Sequence, residues 1–153
     1  MRASIVLCDF AEQEQPGGKV HMLGAGWSLT GPAPSPQAVV AFIKVAWTDT
    51  NEKHKFVLRL TDSDGQLVTT PGPSGPQPLE FPGMLEVGRP PGIPSGSEID
   101  VNFVVGLQPL QLVPGQRYTW RLEIGEGESQ VQVSESFMVR QAHAPAAESP
   151  AQP

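Results

Sequence analysis

The stretch PGQRYTWRLEI, Pro114 to Ile124, interleaves two arginines with a tyrosine and a tryptophan. A binding surface would stack those rings and cations on one face, whereas a packed strand would separate them. Alternate side chains of an extended chain leave opposite faces. Tyr118, Trp120, Leu122 and Ile124 therefore share one face, and Arg117, Thr119, Arg121 and Glu123 share the other. Rings and guanidinium groups point apart. The segment reads as a strand with its aromatics in the core and an arginine stripe outside, introduced by a Pro-Gly turn.

The same parity runs through the rest of the chain. It puts Val39, Ala41, Ile43, Val45 and Trp47 on one face of one segment, and Phe56, Leu58 and Leu60 on one face of the next. Leu79, Phe81, Leu85 and Val87 form a further set, as do Ile99, Val101, Phe103, Val105 and Leu107. Val131, Val133, Phe137 and Val139 close the series, and no window carries a helical period. In GKVHMLGAGWSLTG the phase set by Val20 and Met22 changes to that of Leu23, Ala25, Trp27 and Leu29, which predicts a β-bulge near Met22–Gly24. The apolar patch in MRASIVLCDFAEQEQ is too short for a signal peptide and reads as a first strand. After Trp47, TDTNEKH fits a turn or a single helical turn. The proline-rich stretches TGPAPSP, TTPGPSGPQP and GRPPGIPSG read as loops, because proline cannot donate to a ladder.

These patterns predict an all-β fold, an immunoglobulin-like or jelly-roll β-sandwich of about seven to nine mainly antiparallel strands. Trp27, Trp47, Tyr118 and Trp120 are expected to be at least partly buried. One domain is expected over residues 1–140, followed by a flexible Ala/Pro-rich tail over 141–153. With 39% apolar residues the 153-residue chain can build one core, and no apolar run reaches bilayer length. The formal net charge of −6 repels phosphate backbones, so nucleic acid is not an expected partner, and neither is a membrane. Cys8 is the single cysteine, which excludes an intrachain disulfide framework. With no export signal in view, a cytoplasmic location is expected.

Motifs that could carry chemistry are few. His21, His54 and His143 have no metal-ligand spacing. Asp62 and Asp64 before Gly65 start like a calcium loop but lack the later ligands, so a hairpin turn is the simpler reading. Gly24 and Gly26 have neither the third glycine nor the helix of a dinucleotide site, and Ser28 lacks a nucleophile-elbow context. Glu123, Glu126 and Glu128 surround a turn. Cys8, Asp9 and His21 could meet only through tertiary pairing. No catalytic, cofactor-binding or metal residue is assigned, and no cofactor is expected.

Four pieces taken in order, ASIVLCDFA, LGAGWSLTGP, EVGRPPGIPSG and PGQRYTWRLEI, lie between Ala3 and Arg140. Together they resemble a family of uncharacterised bacterial proteins, frequent in actinobacteria and catalogued only as a domain of unknown function. The resemblance brings no activity, cofactor or site residue; it implies a bacterial, cytoplasmic, free-standing single-domain protein. The functional expectation is a non-enzymatic protein-interaction or assembly module. Its contacts would lie on the proline-rich loops Thr69–Pro78 and Gly88–Gly96, which could equally be rigid connectors, or on an edge strand. The alternatives are small-ligand or carbohydrate binding at an exposed Trp27 or Trp47, and an enzyme centred on Cys8. Oligomeric state is left open.

Overall fold

The computed structural model describes residues 1–142. The expected tail, His143 included, lies outside the described residues except for Gln141 and Ala142. Twelve strands form: β1 (Arg2–Cys8), β2 (Phe10–Gln13), β3 (Val20–Leu23), β4 (Leu29–Thr30), β5 (Gln37–Val45), β6 (Lys53–Thr61), β7 (Thr69–Gly72), β8 (Gly75–Pro78), β9 (Glu80–Glu86), β10 (Ile99–Leu107), β11 (Arg117–Ile124) and β12 (Val131–Val139). Helical structure among the described residues is confined to two single 3-10 turns, Trp47–Asp49 and Gly127–Ser129. The first of these is the helical turn expected after β5.

Four sheets result, and none closes. One has the order β1-β5-β10, a second β4-β12-β11-β6-β9, and two are hairpins, β2-β3 and β7-β8. Pairing is antiparallel except where β4 runs parallel to β12. The chain passes from the first sheet to the second between β5 and β6, returns between β9 and β10, and crosses again before β11. The excess over the expected seven to nine strands is made of short pieces: β4 and the two hairpins.

The two larger sheets enclose one apolar core. Leu7, Val39, Ile43 and Val45 come from the three-stranded sheet, and Leu58, Leu60, Trp120, Leu122 and Phe137 from the other. Phe56 stacks on Phe103 across the two sheets, with ring centres 4.7 Å apart. All of these but Leu7, for which no parity was assigned, stand at the expected parity. Trp120 is fully buried and Tyr118 is 5% exposed, whereas Trp27 and Trp47 are half-buried against the core. The basic stripe of Arg117 and Arg121 lies outside, as the opening segment required.

Two expectations need correction. The stretch Thr69–Pro78, read as a loop, is the β7–β8 hairpin. Its register pairs Pro71 with Pro76 and Thr69 with Pro78. A proline pair cannot exchange N–H bonds, so those two pairs take the non-hydrogen-bonded sites, and Thr70–Gln77 and Gly72–Gly75 take the bonded ones. All three prolines therefore fall where a ribbon tolerates them. The second correction concerns Met22–Gly24. β3 keeps regular register to Leu23, opposite Phe10, and the chain turns at Gly24 and Gly26, whose φ values are +60° and +83°. The change of phase marks a strand end followed by a glycine corner.

β5 also buries its second face. Ala38 and Val40 join Cys8 in a second small core roofed by Ala11, Val20 and Met22 of the β2–β3 hairpin, with Phe42 and Val104 beside it. The hairpin is pinned by Gln13, whose side chain donates to the Asn102 carbonyl at 2.8 Å.

Candidate functional site

The Cys8–Asp9–His21 constellation does not assemble. Cys8 is fully buried in the second core, and its thiol donates to the Ala38 carbonyl at 3.6 Å. Burial pushes that thiol up from its ordinary range, and the Asp9 carboxylate adds to the shift. The nucleophilic thiolate is thereby suppressed. His21 alternates with Val20 and Met22, so it projects from the opposite, solvent face of the hairpin and meets Glu14 at 3.0 Å. Asp9 packs its carboxylate against Gly24, where an added β-carbon would stand 2.1 Å from its Oδ2.

Other polar candidates are held in structural roles. His54 bonds the Asp49 carbonyl at 2.8 Å. Asp62 Oδ1 accepts from the amides of Asp64 and Gln66, both at 2.9 Å, which makes TDSDGQ a carboxylate-closed turn. No group of three or more potential metal ligands converges among the described residues. Trp47 is capped by the Arg89 guanidinium, 4.5 Å above its ring, while Arg89 also bonds Thr50 Oγ1 at 2.7 Å and the Trp47 carbonyl at 3.0 Å. The Gly88–Gly96 loop therefore starts by clamping the 3-10 turn beneath it.

On the outer face of the five-stranded sheet, Arg59 bridges Glu80 at 2.6 Å and Glu123 at 3.1 Å. The hydrogen bond to Glu80 holds the guanidinium above its ordinary value, and burial works against that shift. A shallow groove of 450 Å³ runs past these charges, and a second of 340 Å³ lies over Phe42 between Lys44 and Asn102. Lys55, Arg59, Glu80 and Glu123 line the first, and Arg2, Lys44, Asp100 and Asn102 line the second.

Two surface features remain. The β7–β8 ribbon is exposed throughout β8 and at alternate positions of β7, and its base is tied down by Val68 N donating to Leu60 O at 2.9 Å and Leu79 N to Val68 O at 2.8 Å. The β2–β3 hairpin shows Phe10 and Leu23 to solvent as a directly opposed pair, 55% and 67% exposed. Sequence reasoning missed this pair, although its parity was legible: Phe10 alternates with Ala11, and Leu23 with Met22.

Set against known families, residues 3–133 match the family model described as Family of unknown function (DUF6941). The chain belongs to that family. No curated protein and no solved structure matches it. The match begins in β1 and ends within β12, so it takes in both larger sheets and both hairpins. No described helix is long and apolar enough to cross a membrane.

Proposed function

We propose that this protein is a non-enzymatic protein-interaction module built on an immunoglobulin-like sandwich, with the β7–β8 ribbon as its contact arm. The strand order supports the sandwich type. β1, β5 and β10 occupy the places of the first, second and fifth strands of such a fold, and β6, β11 and β12 those of the third, sixth and seventh. The fourth, β9, pairs with the third rather than with the fifth. Tyr118 also supports it. Its ring sits near the start of β11, and its hydroxyl accepts the Val113 amide five residues upstream at 2.9 Å, the arrangement of a tyrosine corner.

The observation that carries the interaction reading is the placement of prolines in the ribbon. Pro71, Pro76 and Pro78 stiffen an exposed arm and remove the outward N–H groups through which another strand would add. Such an arm meets a partner through side chains and carbonyl oxygens, and its prior order lowers the entropy lost on binding. Two sheet edges are guarded in the same sense. Pro82 lies in the edge strand β9, and Glu135 places a carboxylate at a core-facing position of β12 yet remains exposed. Recognition by simple sheet extension is disfavoured at these edges.

A photo-cross-linking residue at Ser74, the ribbon tip, tests the proposal in lysate of the native host. One stoichiometric adduct is expected, and it should disappear when residues 70–77 are replaced by a Gly/Ser segment of equal length while the melting temperature holds. Adducts no more specific than those from a control site at Ser97 would overturn it.

A further inference from the structure

We propose that the outer face of the β2–β3 hairpin is a second docking surface, which takes an extended protein segment whose basic and aliphatic residues stand two apart, on one face of the segment. The argument is independent of the ribbon and starts from an imbalance. A two-stranded hairpin normally buries one apolar face and wets the other. The inner face here is already committed, with Ala11, Val20 and Met22 covering Cys8, Ala38 and Val40. The outer face nevertheless carries Phe10 and Leu23 side by side, largely exposed.

Charge identifies the occupant. Asp9 lies beside Gly24 at the base of the apolar pair, Glu12 stands directly opposite His21, and Glu14 bonds His21. Residues 9–24 thus carry three carboxylates against the single ammonium of Lys19. A second copy docked on this face would bring those carboxylates against themselves, and an anionic membrane would be repelled. An extended chain that carries aliphatic residues in the middle of one face and lysine or arginine two positions away on that same face satisfies both features at once. Its apolar side chains cover Phe10 and Leu23, and its cations, two residues further along the same face, reach Glu12 and Glu14. The polar rim around an apolar centre is the common anatomy of a protein contact.

The test uses a fluorescein-labelled heptapeptide of sequence Lys-Ser-Leu-Ser-Leu-Ser-Lys, which as a strand puts both leucines and both lysines on one face, titrated with the full chain in an anisotropy assay at low and moderate salt. Saturable binding that weakens with salt is expected, together with amide shift changes confined to residues 9–14 and 19–24. The Phe10→Ser/Leu23→Ser variant should bind about tenfold or more weakly. Both positions are exposed, so its melting temperature should match the parent. Replacing the peptide's lysines by glutamate should abolish binding. No binding by the parent chain, equal binding by the variant, equal binding of the glutamate peptide, or a parent dimer that the variant dissolves would each overturn the proposal.

Discussion

Removing one oxygen from Tyr118 isolates the bond that staples the crossover before β11. The Tyr118 hydroxyl accepts the Val113 amide at 2.9 Å, and its ring stacks on Phe137 with centres 5.8 Å apart. Tyr118→Phe keeps the ring and its stacking, so the transfer and cavity contributions stay close to zero. What is lost is a hydrogen bond of about 0.5–1.5 kcal/mol, or about 1–3 kcal/mol if the amide is left sealed from water. Val113 is 58% exposed, so water can reach its amide and the loss belongs near 1 kcal/mol. For a chain of this length that lowers the melting temperature by about 2–4 °C. Urea unfolding should show a lower midpoint at unchanged slope. Amide exchange should show Val113 losing protection ahead of Leu122. An unchanged midpoint with unchanged Val113 protection would refute the reasoning, because the corner would then hold nothing that the ring packing does not.

Four further outcomes are expected. Gly83→Val drives a side chain into the Phe56 ring, since a β-carbon there would stand 2.3 Å from Cζ; chemical unfolding should register a loss of about 1–3 kcal/mol, partly recovered by adding Phe56→Leu. Trp120→Phe exchanges lost packing for removal of a buried indole N–H that has no acceptor among the described residues, so calorimetry should place it within about 1 kcal/mol of the parent, whereas Leu122→Ala at the same depth should cost about 2–5 kcal/mol. Cys8 should react with a disulfide reagent only when the second core opens, at a rate that rises in mild denaturant. Its thiol is raised in the folded chain, so its contribution is complete below the unfolded value of about 8.5 and is lost as pH climbs through the folded value; Cys8→Ala should flatten stability against pH in that alkaline range.

The sheet cores were legible because burial on one face leaves a period of two, and that period needs no knowledge of which strands pair. Leu58, Leu60, Trp120, Leu122 and Phe137 were placed by it correctly. β5 was only half read. QAVVAFIKV is apolar at nearly every position, which is how a strand covered on both faces looks, so alternation alone picks out only one of its two buried sets. Thr69–Pro78 failed for a different reason. Four prolines argue against a ladder until their register is known, and the two-residue turn at Pro73-Ser74 aligns the other three with sites needing no donor. For Phe10 and Leu23, parity separated the faces of the hairpin but could not say which face the rest of the molecule would cover. The Tyr118 bond depends on how the crossover folds back, and no local pattern encodes that.

β5 is a wall shared by two compartments of unequal depth. One is the broad interior between the larger sheets, and the other is the shallow chamber roofed by β2 and β3. Lifting that roof would release both Gln13 and Gly18 from Asn102 and uncover Cys8, Ala38 and Val40, without parting β5 from β1 or β10. The hairpin is thus a flap laid over a sheet whose own pairing does not depend on it. Sequence change, insertion or partner-induced remodelling between Asp9 and Gly24 falls on that flap, while the same change in β11 would fall on the broad interior itself.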